Sequence, residues 1–202
     1  MLSNGQGVER DRAAALPWYE KSSRKGHRAA WYNLGLYFAK GFGGVHINHR
    51  RAEICFEKAA KKGFIPAMTS LAVLYRAAAA SYQQHVSLSE NNNSNNDVRL
   101  LRQQMNAQQE KRERMVYWYQ KAATLGDAAA QRELGMLYDS GLGVTQNYEQ
   151  AFILLQKAAA QNDPRATLLL GSYYQNGLGG IEPNTEKALE LYNQAVQLGA
   201  TT

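Results

Sequence analysis

Few residues of this 202-residue sequence combine a reactive side chain with the neighbours that chemistry needs. His46 and His49 lie three positions apart, a spacing that can bring two imidazoles to one metal ion. They fall in a loop between two predicted helices, and no further Cys, His or acidic ligands cluster beside them. We therefore interpret them as surface histidines and predict no metal site.

Cys55 is the only cysteine, so the chain cannot form an intrachain disulfide. Its neighbours Ile54 and Phe56 are apolar, which favours a thiol that packs rather than reacts. The glycine-rich segments at 41–44 and 177–180 follow helices instead of strands, and no Gly-Lys-Ser/Thr follows them as in a phosphate loop. A Gly-x-Ser-x-Gly nucleophile motif is also absent. The sequence predicts no catalytic site and no cofactor, and we expect that the protein is not an enzyme.

The elements around these residues are predicted helices in a repeating pattern. After Asp127, apolar residues recur at the spacing of one helical face, at Ala130, Leu134, Leu137 and Tyr138. Gly141 and Gly143 then end the helix, because glycine readily takes the left-handed conformation. A second apolar face follows at Ala151, Leu154, Leu155, Ala158 and Ala159. Helix pairs of this size cannot bury their own surface, so they must stack.

Self-similarity at a period of about 36 residues divides the chain into one array of five units. We place a partial repeat at 1–26 and further repeats at 27–63, 64–126, 127–162 and 163–199. The first unit holds only a loop and a second helix. We therefore expect a segment of a longer array that is truncated at the N-terminus, with frayed terminal helices as the alternative.

The repeat 64–126 departs most from the pattern, because no glycine turn follows its first helix. About 27 additional residues precede the second helix, and helix-favouring stretches flank a polar tract rich in Asn. We expect both helices to continue into a projecting hairpin over about 81–114, tipped by the Asn-rich loop. A disordered loop without a role is the alternative.

The recurring residues resemble the Sel-1-like repeat family, a relative of the tetratricopeptide repeats. The family's first-helix and turn pattern is matched by Ala130, Leu134, Gly135, Tyr138, Gly141, Gly143 and Val144. Its second-helix ending is matched by Trp118, Tyr119, Lys121, Ala122, Ala123 and Gly126. The resemblance implies an all-α fold, a right-handed α-solenoid of stacked helix-turn-helix repeats that works by binding another protein.

In helical-pair solenoids the first helices line the concave side, and positions between the core residues are free to set specificity. We predict a partner-binding stripe two residues before each core leucine, then two and five residues after it. The stripe consists of Tyr32, Leu36, Thr69, Val73, Arg76, Arg132, Met136, Asp139, Leu168, Ser172 and Gln175. Packing of the same residues between helices is the alternative.

The charge of the chain is uneven. Up to Gly126 there are 19 Lys and Arg against 9 Asp and Glu, and beyond it 4 against 8. A basic end can attract a partner with an acidic surface.

Nucleic-acid binding is disfavoured because most aromatic residues occupy core positions of the repeats. These 202 residues show no signal-peptide pattern and no transmembrane run. Because we expect the chain to be truncated at the N-terminus, the compartment, cytoplasmic or periplasmic, stays open.

Two readings of the interaction differ in the surface they use. A scaffold or adaptor binds a partner along the concave stripe. An immunity-type inhibitor neutralises a toxin or effector enzyme and uses the inserted hairpin for binding. Some bacterial members of the family resemble proteins with this role. The sequence identifies neither the partner nor the oligomeric state.

Overall fold

The computed structural model describes the backbone of residues 11–86 and 95–200 and the side chains of residues 11–81 and 99–200. Within these ranges the chain forms nine α-helices and no strand, which confirms the predicted all-α solenoid class. The helices are α1 (Arg12–Arg24), α2 (Arg28–Lys40), α3 (His49–Ala60), α4 (Ile65–Val86), α5 (Asn95–Thr124), α6 (Ala128–Ser140), α7 (Tyr148–Ala159), α8 (Pro164–Asn176) and α9 (Thr185–Gln197). None of these helices is both long and apolar enough to cross a membrane.

The chain divides into two compact units, Met1–Leu74 and Tyr75–Thr202. In the first unit, α2 packs against both α1 and α3. In the second unit, each helix from α5 to α9 packs against the next one in the chain. Neighbours in sequence are therefore neighbours in space, as expected when short helical hairpins stack.

The helix ends repeat the same local chemistry. The second helices α3, α7 and α9 begin after Asn48, Asn147 and Asn184, whose side-chain oxygens accept from the third backbone N–H that follows. These bonds satisfy donors that the helix itself leaves unpaired. The first helices α2, α6 and α8 end at glycines in the left-handed conformation, for example Gly141 with a φ of 71°. Local sequence signals therefore set the ends of these helices.

Small residues allow the helices to approach closely. Alanines at the helix contacts are fully buried, among them Ala52, Ala130, Ala151, Ala158 and Ala166. Gly35 lies directly against Phe56, because a Cβ on that glycine would come within 2.5 Å of the ring. This close packing leaves larger buried side chains such as Leu155 and Tyr173 to fill the space between repeats.

The helices that flank the predicted insertion are longer than the others. Helix α4 has 22 residues and α5 has 30, whereas every other α-helix has 12 or 13. The two helices contact each other in the second unit, where the Gln108 amide donates to the carbonyl of Ala79 at 3.2 Å. The centre of the Asn-rich tract predicted as the hairpin tip, residues 87–94, lies outside the described residues.

Candidate protein-binding surface

A chain of ion pairs joins the first helices of the second unit. The Arg76 guanidinium on α4 lies 2.6 Å from the Glu133 carboxylate on α6. The other oxygen of Glu133 lies 2.9 Å from Arg132, whose second terminal nitrogen lies 2.6 Å from Asp163. Asp163 is also the N-cap of α8, where it accepts from the Ala166 N–H. Three helices of the array are therefore held in register by charge.

The ion pair between Arg132 and Asp163 is shielded from water, whereas Arg76 at the other end of the series is not. The Arg132 and Asp163 side chains are only 15% and 9% exposed, whereas Arg76 is 47% exposed. Burial lowers the pKa of Arg132, but hydrogen bonds to Glu133 and Asp163 and their negative charges outweigh it and raise the pKa. Arg132 thus stays charged and held by its partners, and Arg76 offers the accessible positive charge.

A second polar contact joins α6 to α8. The Tyr173 hydroxyl donates a short hydrogen bond to the Asp139 carboxylate. Burial, followed by this hydrogen bond and the charge of Asp139, raises the pKa of Tyr173 well above its ordinary value. Asp139 is therefore fixed in orientation on the same face of α6 as Arg132.

Met136 lies between these two fixed residues, one helical turn from each. It remains 43% exposed, although it is a large apolar side chain. On α8, the predicted residues Leu168 and Ser172 are half-buried, and the exposed Gln175 accepts from the Tyr192 hydroxyl at 2.7 Å. The face of α6 therefore presents one exposed apolar residue in a frame of ordered polar groups.

In the first unit the predicted residues lie in different surroundings. Tyr32 is half-buried between the rings of Phe56 and Phe64, at centroid distances of 5.8 and 5.2 Å. Leu36 is also half-buried, and the Thr69 hydroxyl donates to backbone carbonyls of its own helix. Val73 is 47% exposed. Tyr32 thus packs between helices, whereas Val73 has the accessibility that a contact residue needs.

Three residues around Arg132 are not among the predicted binding residues. Glu133 and Asp163 form the ion pairs, and Tyr119 on α5 is buried nearby with a hydroxyl that has no partner among the described residues. Burial, with the charge of Glu133 next in size, raises the pKa of Tyr119 to about 12. The N-cap position of Asp163 was a visible signal, but its pairing with a residue 31 positions away was not.

The two histidines and the cysteine lie in different surroundings. His46 and His49 are exposed, and the described part of the chain holds no group of three His, Cys, Asp or Glu residues that fits a metal ion. Cys55 is buried, and burial raises the pKa of its thiol to about 11 despite the positive charges of Lys58 and Arg51. A thiol with that pKa is protonated at neutral pH and is a poor nucleophile.

The family model described as Sel1 repeat matches residues 1–27, 29–64, 116–127, 128–163 and 164–199. A solved structure, a Sel1 repeat protein from Oxalobacter formigenes, is similar to this chain with 28% sequence identity and a TM-score of 0.75. The match covers 99% of this chain and 70% of that one.

Two further solved structures are similar to this chain with lower scores. A protective antigen of uropathogenic Escherichia coli is 27% identical, with a TM-score of 0.47 over 98% of this chain and 44% of its own. An immunity protein of Pseudomonas aeruginosa is 18% identical, with a TM-score of 0.45 over 95% of this chain and 76% of its own. No curated protein sequence matches the chain significantly.

Proposed function

Because the chain belongs to the Sel1 repeat family, we propose that it is a scaffold that binds a partner protein through the first helices of its repeats. Scaffolds of this family are generally non-catalytic and typically mediate protein interactions. In the second unit, the proposed contact surface is the face of α6 around Met136, with Arg76 at its charged end. Val73 is the corresponding candidate in the first unit.

The observation that carries this proposal is the exposed Met136 in its fixed polar frame. An exposed apolar side chain gains free energy when a partner removes it from water. The side chains beside it are already ordered by their bonds to Asp163 and Tyr173, so a partner does not have to order them on binding. Methionine also adapts its shape to different apolar surfaces.

The exposed charge of Arg76 indicates the character of the partner. Its guanidinium is already paired with Glu133, but nearly half of its side chain faces solvent. A carboxylate on the partner adds a second acceptor to a group that has five N–H donors. The surface around α6 is therefore suited to a partner that presents an apolar residue next to an acidic one.

The test compares two charged substitutions at residues of equal accessibility. Met136→Glu places a charge in the proposed surface, and Ile153→Glu places one on α7, where Ile153 is 41% exposed. We expect Met136→Glu to weaken capture of the native partner by about tenfold or more, because a charge is buried at the contact. Ile153→Glu is expected to capture the partner as the unmodified chain does.

Circular dichroism and melting temperature establish that both variants fold. Equal capture by both variants contradicts a binding surface at Met136. Loss of capture by both shows a general effect of negative charge and also contradicts the proposal.

A second candidate is an inhibitor that docks through the inserted hairpin. Two large apolar residues on the extended part of α5 are exposed, Leu100 at 52% and Met105 at 62%. The double substitution Leu100→Glu with Met105→Glu separates the two functions. Loss of the partner in this variant, with retention in Met136→Glu, establishes the hairpin as the recognition element.

A further inference from the structure

A cavity of about 270 Å³ lies in the first unit, where α2 faces the gap between α1 and α3. Its floor is apolar and buried, formed by Leu34, Phe38 and Cys55. The surrounding Arg24 and Arg51 are exposed. The cavity is therefore open to solvent on a charged rim and lined below by apolar groups.

The residue type at one position of the repeat contributes to this open space. When the second helices are aligned on their buried alanines Ala52 and Ala151, Cys55 corresponds to Leu154 of α7. In the same alignment the corresponding residue of α9 is Leu191. The thiol is smaller than the leucine side chain. A side chain of this size leaves more of the depression lined by α1, α2 and α3 open than a leucine does.

The size of this cavity fits one bulky side chain. Engineered apolar cavities of about 150 Å³ accept benzene, and sites for drug-sized molecules begin at about 300 Å³. A phenyl or indole ring therefore fits within the 270 Å³ available. A larger ligand would have to extend over the rim.

Positive charge surrounds the opening. The Arg51 guanidinium lies 3.8 Å from the ring centre of Phe38, and the Lys58 ammonium lies 4.2 Å from that of Trp31. Among the lining residues Glu20 is the single carboxylate. Between residues 11 and 64 there are eleven Lys and Arg against four Asp and Glu. The charge around the cavity is therefore complementary to an acidic segment.

We propose that this cavity binds one aromatic side chain of an acidic segment in a partner protein. The ring lies against Leu34, Phe38 and Cys55, and the flanking carboxylates of the segment pair with Arg24 and Arg51. The inference rests on the proposed function, since the ligand is part of a protein, but it concerns a different surface. Met136→Glu leaves the cavity intact, so the two proposals fail independently.

The probe is a fluorescein-labelled, six-residue acidic peptide with one central phenylalanine. Two matched peptides replace the phenylalanine by alanine, or the acidic residues by lysine. Fluorescence anisotropy at low salt is expected to show saturable binding of the first peptide, weakened about tenfold or more by either change. Binding of the alanine peptide with equal affinity overturns the proposal, because the cavity then plays no part.

Matched variants change either the volume of the cavity or the positive charge at its rim. Cys55→Leu installs the residue found at the equivalent position of α7, and we expect it to narrow the cavity beside the bound ring, retain the melting temperature and weaken binding several-fold. Cys55→Ala leaves the cavity open and is expected to bind like the unmodified chain. Arg51→Gln is expected to weaken binding, whereas Lys157→Gln on α7 is not. Unchanged binding by Cys55→Leu overturns the proposal.

Protection of the thiol gives a measurement that requires no variant. Cys55 is the single cysteine, so a thiol-specific aromatic disulfide, which transfers one aryl thiol to the cysteine, releases the other and does not react with lysines, reports on this position alone. Because its pKa is raised to about 11, the reaction is followed at pH 9, where more thiolate is present. The phenylalanine peptide is expected to slow the labelling several-fold and the alanine peptide is not. Equal labelling rates with both peptides overturn the proposal.

Discussion

The hairpins α2–α3 and α6–α7 share one backbone plan but differ in the side chains at equivalent positions. Both first helices have 13 residues and end at a left-handed glycine, Gly41 or Gly141. Both second helices have 12 residues and begin after an asparagine cap. Their stacking contacts differ, because α2 uses aromatic rings where α6 uses ion pairs.

Individual positions show how this difference arises. Tyr32 packs against two phenylalanine rings, whereas Arg132 at the equivalent position binds Glu133 and Asp163. Cys55 lines a cavity at the position where α7 has Leu154. Residues that set the backbone are thus reused, and residues between them give each hairpin its own surface. Substitutions at matched positions test this comparison.

The largest effect on stability is expected from a substitution that creates a clash at the contact between α2 and α3. In Gly35→Ala the new Cβ lies 2.5 Å from the buried ring of Phe56, so we expect a loss of about 3 kcal/mol in unfolding free energy. The matched Gly135→Ala meets Leu155 at 3.2 Å and gains helix propensity. We expect its stability to change by less than about 1 kcal/mol. Urea denaturation measures both, and equal losses contradict the difference in packing.

The next effect concerns the ion pairs of the second unit. Asp163→Ala removes both an N-cap and the partner of Arg132, and we expect a loss of about 2 kcal/mol. Asp127→Ala removes the cap of α6 and is expected to cost about 1 kcal/mol. Asp163→Asn keeps a side-chain oxygen that caps α8 but removes the negative charge beside Arg132. If both alanine variants melt at the same temperature, the ion pair adds nothing to the cap.

The hydroxyl of Tyr173 is expected to contribute less than this ion pair. Tyr173→Phe removes the hydrogen bond to Asp139 and is expected to cost about 1 kcal/mol. Tyr119→Phe removes a buried hydroxyl that has no partner among the described residues, so its cost is expected to be near zero. Chemical denaturation at pH 7 compares the two variants. A larger loss for Tyr119→Phe reveals a bonded partner, such as a water molecule.

At high pH the unmodified protein is expected to become less stable than Tyr119→Phe. Burial raises the pKa of Tyr119 from 10 to about 12, so the folded state holds the proton more tightly than the unfolded state. The stability that this tighter proton binding adds to the folded state is complete below pH 10 and is lost as the pH rises to about 12. The unmodified protein should therefore lose more stability than Tyr119→Phe in this interval. Parallel pH profiles of stability contradict the raised pKa.

Much of the fold could be predicted because its signals are local. The apolar period of Ala130, Leu134 and Leu137 and the glycine at 141 lie within one helix and its end, and the structure confirms the all-α solenoid class. The stripe of binding residues remains a prediction. Its members look alike in sequence, yet Met136 is exposed while Tyr32 is half-buried between rings.

The sequence by itself determined the repeat, the helix pairs and the family, because turns and caps depend on residues a few positions apart. Only the tertiary structure showed that Arg76 meets Glu133, 57 residues away, and that Arg132 meets Asp163. It also showed that Cys55 lines a cavity formed by α1, α2 and α3. Such features depend on which side chains face each other after the helices stack, and a periodic sequence pattern does not contain that information.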